Sequence, residues 1–249
     1  MAATCSAKRN RGLFPLIWKA TLLLSFLTML LSACGNATVI KVNCTGINIS
    51  CSYPTATPNV PALSATAQAI IKGKPLLSDS LSKQDSNQWE TDRNCAFDHG
   101  AYQVTNSELP PTTISCISSR LRYSDLAIQV DVTLPTGDTA GLYYRDDQAA
   151  GNTYVCEITN QRQADIVLFK DHTTVILFPD MFNGAIHDPG QKNTLLVIAQ
   201  GNDLRFFVNN TFIAETHDST LTSGEIGFSA ANYSENAQAR FSNLVIYQI

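Results

Sequence analysis

The chain has 249 residues, 44% of them hydrophobic and 15% charged, with 17 basic and 21 acidic side chains for a net charge of −4. This composition is that of a globular protein rather than a disordered one. The acidic balance, without clusters of Lys and Arg, excludes a nucleic-acid partner as the working expectation.

Lys8, Arg9, Arg11 and Lys19 precede an apolar core, Ala20 to Leu31, that is short for a membrane span. The core ends in Leu31-Ser32-Ala33-Cys34, which matches the bacterial lipobox. Residues 1–33 are therefore read as a lipoprotein signal peptide and Cys34 as the lipidated first residue of the mature protein; an uncleaved anchor helix is the alternative. Acyl chains partition at about 0.8 kcal/mol per buried CH₂, so two or three of them hold a protein at a membrane. The expected location is the extracytoplasmic face of the cell membrane. Losing four basic residues and no acidic ones with the signal takes the net charge to −8.

Such a compartment permits disulfides. Cys44 and Cys51 have the spacing to close a small loop, a pairing the sequence leaves open, and Cys95 and Cys116 are expected to staple the first hairpin region. Cys156 is left over. It shares a face with Tyr154 and Ile158 and is read as a buried free thiol. With no Cys-x-x-Cys pair, and with His99, His172 and His187 scattered at turns or loops and His217 following a strand, neither a metal nor a cofactor is expected. Residues 34–75 read as a tether, rich in Pro, Thr and Ala beyond residue 52, with a short Ala-rich helix over Ala62 to Ile71.

The folded domain is assigned to 76–249. Asp98-His99-Gly100 turns between strands carrying Phe97 and Tyr102. Leu126 to Leu134 alternates, with Ile128, Val130, Val132 and Leu134 to one side and Gln129, Asp131 and Thr133 to the other, as in an antiparallel strand with one buried face. Turns at Thr136-Gly137-Asp138, Gln148 to Asn152 and Asp171-His172 separate four further strands, and Met181 to Gln191 reads as an irregular loop. The C-terminal quarter is a meander: Leu195 to Ala199, Leu204 to Val208 and Thr211 to Glu215 are divided by Gly201-Asn202-Asp203 and by Asn209-Asn210. Asn tolerates positive φ, so Asn-Asn between β-rich runs reads as a tight hairpin. About a dozen strands and no long helix predict an all-β, antiparallel two-sheet sandwich.

The pieces Asn193 to Val197, Gly201 to Ala214, Gly224 to Phe228 and Phe241 to Ile246 also carry a resemblance. Their order, N-x-L-x-V, then G-N-x-L-x-x-x-V-N, then G-x-I-G-F, then F-S-N-L-x-I, resembles the end of concanavalin A-like jelly-roll domains, in the branch that holds laminin-G-like modules and the 3-keto-disaccharide hydrolase domain. The resemblance implies the fold and leaves activity open.

Chemistry is sought on the strands. A laminarinase-type glucanase needs carboxylates two or four apart on one strand, and no such run is present. Glu90 and Asp92, and Glu215 and Asp218, read as surface carboxylates, and Asp146-Asp147 as an acidic turn, with a calcium site as the alternative. No Gly-x-Ser-x-Gly elbow marks a nucleophile. With Leu142 and Tyr144 in the core, alternation sends Tyr143, Arg145 and Glu157 outward, joined by Gln129 and Asp131, as a surface for a glycan or another cell-surface ligand. Three functions remain in view. The first is a non-catalytic carbohydrate-binding module, the second a hydrolase of the 3-keto-disaccharide type implied by the resemblance, and the third a structural or sensory domain with a protein partner.

Overall fold

The computed structural model describes residues 4–7, 41–44, 47–52 and 58–249, the first three segments by their backbone alone. The chain divides into two units, Met1–Pro58 and Asn59–Ile249. In the first, strands β1 (Thr4–Ala7), β2 (Lys41–Cys44) and β3 (Ile47–Ser52) form a small antiparallel sheet in the order β1-β3-β2. Cys34 and the Cys44 and Cys51 side chains lie outside the described residues.

The second unit is a two-sheet sandwich. One sheet has six strands: β12 (Thr173–Phe182), β11 (Gln163–Lys170), β10 (Asn152–Thr159), β9 (Thr139–Asp147), β16 (Gly224–Asn232) and β7 (Thr112–Tyr123), in that spatial order. The other runs β15 (Thr211–His217), β14 (Asp203–Val208), β13 (Lys192–Gln200), β8 (Leu126–Thr136), β17 (Ala237–Tyr247), β6 (Ala101–Asn106), β5 (Cys95–Asp98), with β4 (Leu77–Asp79) also paired to β17. All described pairings are antiparallel, as an all-β jelly roll requires.

Alternation places Leu142, Tyr144, Cys156, Ile158 and Ile166 inward from the first sheet, against Ile128, Val130, Leu195, Val197 and Phe206 from the second. Between the layers Trp89 stacks on Phe228 at 4.8 Å and Phe228 on Phe241 at 4.3 Å between ring centroids. The Trp89 indole N–H donates to the buried Asp79 carboxylate, which also accepts from Asn87. Cys95 and Cys116 are bonded, Cα to Cα 5.8 Å, and Cys156 is a buried free thiol, as expected. That disulfide ties β5 in one sheet to β7 in the other.

The hairpin turns are chemically transparent. Asn209 and Asn210 have φ of +50° and +63°, and Asp171 and His172 +50° and +60°, the mirror-image turn geometry that suits twisted two-residue hairpins. The motif Asn residues are structural. Asn209 Nδ2 donates to Asn193 Oδ1 and to the Ala185 carbonyl, and Asn193 Oδ1 also accepts from the His187 N–H. Together they pin the loop that leads into β13.

The expected short helix is α1 (Val60–Ile71), capped by the Asn59 side chain on the Ala62 N–H at 3.2 Å. It is no part of a free tether. Its Leu63, Ala67, Ile70 and Ile71 pack on Ala127, Leu196, Ile198, Phe207 and Tyr247 of the outer face of the second sheet. The folded unit thus reaches back to Asn59. One sandwich face is closed by this helix, and among the described elements none is laid across the outer face of the six-stranded sheet.

Candidate functional site

The outer face of the six-stranded sheet carries a polar row one residue deep. Register places Ser115 opposite Ser229, Ser229 opposite Gly141, Gly141 opposite Glu157, and Glu157 opposite Asp165. On β12 the register slips between the partners of Ala164 and Ile166, and Asp180 lies in that slip. Directly opposed residues in an antiparallel pair have Cβ atoms about 5 Å apart. Glu157 and Asp165 are therefore neighbouring carboxylates on one face, contributed by two strands.

Like charges so placed destabilise a sheet, and the two groups respond by holding on to protons. Burial pushes the Glu157 carboxyl up, and the charge of Asp180 adds to it. Burial, then Glu157, then Asp180 push Asp165 the same way. The pair titrates as a unit. Glu157 is 6% exposed and Asp180 exposed, so the row runs from a sunken floor to an open rim.

The floor depends on Gly141. A Cβ there would lie 2.5 Å from Ser229 Oγ and 2.8 Å from Val155 Cγ1. Among the described residues, three buried polar atoms at this end of the face lack a well-formed hydrogen bond, Ser229 Oγ, Thr139 Oγ1 and Asp165 Oδ1, and the nearest groups to the two hydroxyls are Tyr143 for Ser229 and Glu157 for Thr139, both of the same face. Buried polar groups are nearly always satisfied, and orphans gathered on one surface call for a polar ligand or solvent.

Tyr143 is adjacent, its strand neighbour Val155 standing two residues from Glu157. Burial and then the charges of Glu157 and Asp146 push its phenol up. Its ring is 7% exposed and packs with Ile117, Val155 and Phe169. The structure thus brings Tyr143 and Glu157 together, with Tyr143 as floor rather than platform.

Arg145 departs from the expected face. It has φ of +52° at a register break in β9, and this bulge turns the side chain inward. Its guanidinium, 1% exposed, donates to the carbonyls of Ser124, Gly201 and Leu221 and to Asp125. It fastens three loops at one end of the sandwich and meets no ligand surface.

Gln129 and Asp131 also fall elsewhere. They point outward from β8, which belongs to the second sheet, so they lie on the opposite exterior from Glu157. The turn at Gly137-Asp138 carries the chain between sheets instead of closing a hairpin within one. Asp131 accepts from Thr194, Lys192 and Asn243; burial alone would raise its pKa, but these partners bring it below the usual carboxylate range.

Other carboxylates have structural partners: Glu90 accepts from the Ile117 N–H, Asp92 caps Asn94 and Cys95, Glu215 pairs with Arg205, and Asp218 accepts from Tyr154. Asp146 is pushed up to about 6 by burial, with Glu225 and Asp147 adding to it. No cluster of three or more His, Cys, Asp or Glu with metal-holding geometry occurs among the described residues. An open cleft of about 350 Å³, lined by Leu134, Gly137, Asn160, Gln161 and Glu235, adjoins this end of the sheet without containing the carboxylate pair.

Asp165, Asp180, Ser229 and Gly141 were not among the residues singled out from sequence. The signal was present: Ala164, Ile166 and Leu168 alternate inward, which sends Asp165 out.

Residues 77–247 match the model of the 3-keto-alpha-glucoside-1,2-lyase-like domain. The chain belongs to this family. No curated protein matches it. Among solved structures, the carbohydrate-binding module CBM66 from Bacillus subtilis superposes with a TM-score of 0.56 at 19% identity, covering 65% of this chain and 96% of that one. The Bacillus licheniformis beta-glucanase does so at 0.55 and 11% identity, covering 70% and 97%. A Bacillus subtilis protein of unknown function with a galectin-like fold gives 0.55 at 14% identity, covering 71% and 96%. At such identities the likeness speaks for fold. This family member shares the two-sheet antiparallel sandwich fold of these structures.

Proposed function

We propose that the domain acts on glycosides of the 3-keto-α-glucoside type on the outer face of the six-stranded sheet, with Glu157 and Asp165 moving the protons. The observation that carries this reading is the direct opposition of these two carboxyls, both raised, beside the buried hydroxyls of Thr139 and Ser229. A ketone at C3 acidifies the hydrogen at C2. The ionised member of the pair takes that proton, the C1=C2 bond forms, and the bond from C1 to the aglycone oxygen breaks. The neutral member protonates the leaving oxygen. One proton leaves C2, one reaches the aglycone, and the products are an alcohol and a 3-keto glycal. A base and an acid are needed at one pH, and two coupled carboxyls sharing a proton supply both. The expectation of binding without turnover rested on the lack of paired carboxylates along one strand; the pair assembled across two strands removes that objection.

Glu157→Gln tests the reading. With 3-keto-maltose as substrate, turnover by the full chain should fall at least 10²-fold, in the range that general acid–base groups contribute, while binding persists. Unchanged turnover sinks the assignment. Binding by the wild type with no turnover favours the second reading, a carbohydrate-binding module, which the likeness to CBM66 supports.

We also infer that Cys34 is lipidated and tethers the domain outside the cell membrane, on the basic n-region, apolar core and Leu-Ser-Ala-Cys sequence. Among the described residues no helix is long and apolar enough to cross a membrane. Cys34→Ala should release the protein from the membrane fraction after a salt wash; retention there would exclude the lipid anchor.

A further inference from the structure

Two exposed aromatic side chains flank the polar row, both displaced from it toward the turn that joins β10 to β11. Tyr233, 57% exposed, follows β16 directly, and Phe182, 65% exposed, is the last residue of β12. Between β16 and β12 lie β9, β10 and β11, so the two sides are four strand spacings apart, roughly 19 Å. Glu157 and Asp165 are on β10 and β11, within that interval.

Both aromatics belong to the same face. Phe182 stands opposite Gln163, which is two residues from Asp165 and shares its orientation. Tyr233 continues the alternation of Ser229 and Ala231 and so shares the face of the polar row; burial and then the charges of Glu157, Asp165 and Asp180 push its phenol up.

Both are also held in place. Asp138 accepts from the Tyr233 N–H at 2.5 Å and the Ser234 N–H at 3.0 Å, as well as from Ser234 Oγ. These bonds bring the Asp138 carboxyl below its usual range against the opposing effect of burial. The Arg162 guanidinium lies 5.3 Å from the centre of the Phe182 ring and is itself fixed by the carbonyls of Gly184 and Ile186. Singly exposed aromatic rings are ordinary on a protein surface; what sets these two apart is that they flank one polar face. Rings on a backbone held in this way, beside buried hydroxyls, are suited to the alternating C–H and O–H surfaces of sugars.

We propose that Tyr233 and Phe182 are specificity-determining walls of this face, Tyr233 against the sugar ring over the Glu157–Asp165 pair and Phe182 against the ring beyond it, so that the domain selects disaccharides or longer glycosides over simple alkyl glycosides. Two sugar rings in sequence can use both contacts, and a single ring only the first. The inference rests on the carbohydrate reading above and adds its length selectivity.

The experiment compares methyl 3-keto-α-glucoside with 3-keto-maltose on the full chain, by calorimetric titration in the Glu157→Gln background and by kcat and KM in the wild-type background. Phe182→Ala should weaken 3-keto-maltose binding about tenfold and leave the methyl glycoside within twofold. Tyr233→Ala should weaken both about tenfold, and Tyr233→Phe, which keeps the ring, should restore most of the loss. The effect should fall on KM, with kcat within threefold. If both alanine variants match the parent on both ligands while Glu157→Gln abolishes turnover, the walls are elsewhere and the catalytic assignment stands. If the alanine variants weaken binding as stated but Glu157→Gln turns over normally, the walls stand and the catalytic assignment fails. A wild-type protein that binds neither saccharide overturns both.

Discussion

Arg145 shows how one backbone torsion redirects a side chain that alternation alone would send to solvent. Its positive φ belongs to a bulge, and the guanidinium inside satisfies carbonyls of three separate loops. Removing it leaves those acceptors buried or dependent on intruding water. Orphaning buried hydrogen-bonding groups costs about 1–3 kcal/mol for each that stays dry. Arg145→Ala should therefore lower stability by roughly 3 kcal/mol, read as a fall in the urea midpoint with an unchanged m-value. A loss under 0.5 kcal/mol would mean that these loops are closed by other contacts. Tyr143 follows the same logic in milder form, since its packed ring contributes to folding as well as to the floor of the face.

At the scale of elements, the hairpins were the most legible part of the chain. Asn209-Asn210, Asp171-His172 and Gly201 each mark a turn by the torsions that they tolerate, and the strands between them alternate cleanly. β7 was not legible. Its register against β16 slips by several residues near Ser118 to Arg122, so its inward positions do not keep a period of two. The layer to which each strand belongs was equally hidden, because the turn at Gly137-Asp138 has the look of a hairpin and in fact crosses between sheets. That crossing is why Gln129 and Asp131 were grouped with residues on the other exterior. The carboxylate pair was recoverable in part. The turn between Thr159 and Gln163 fixes the β10–β11 register, and that register sets Glu157 against Asp165. A search along single strands could not see a pair built across two.

For the whole molecule, the raised and lowered carboxyls predict a stability optimum in mild acid. Glu157, Asp165 and Asp146 bind protons more tightly folded than unfolded. Their contribution is complete below the ordinary carboxylate range, near pH 4, and is lost as pH rises through their higher folded values. Asp131, Asp138 and Asp218 are lowered, so their contribution is present above about pH 4 and is lost as pH falls. The melting temperature should peak near about pH 5 and decline toward pH 9. Glu157→Gln should flatten the alkaline decline. A profile that is level from pH 5 to 9 in the wild type would show that the opposed carboxyls hold no extra proton.

Helix α1 does more than cover apolar surface. Because it lies on the exterior of the second sheet, the chain enters the sandwich from the side opposite the carboxylate row. Under the lipid anchor and the site proposed above, the carboxylate row would face away from the point of suspension, like a palm held away from the wrist. Long or immobilised glycans could then be approached broadside, without the suspending segment having to move aside.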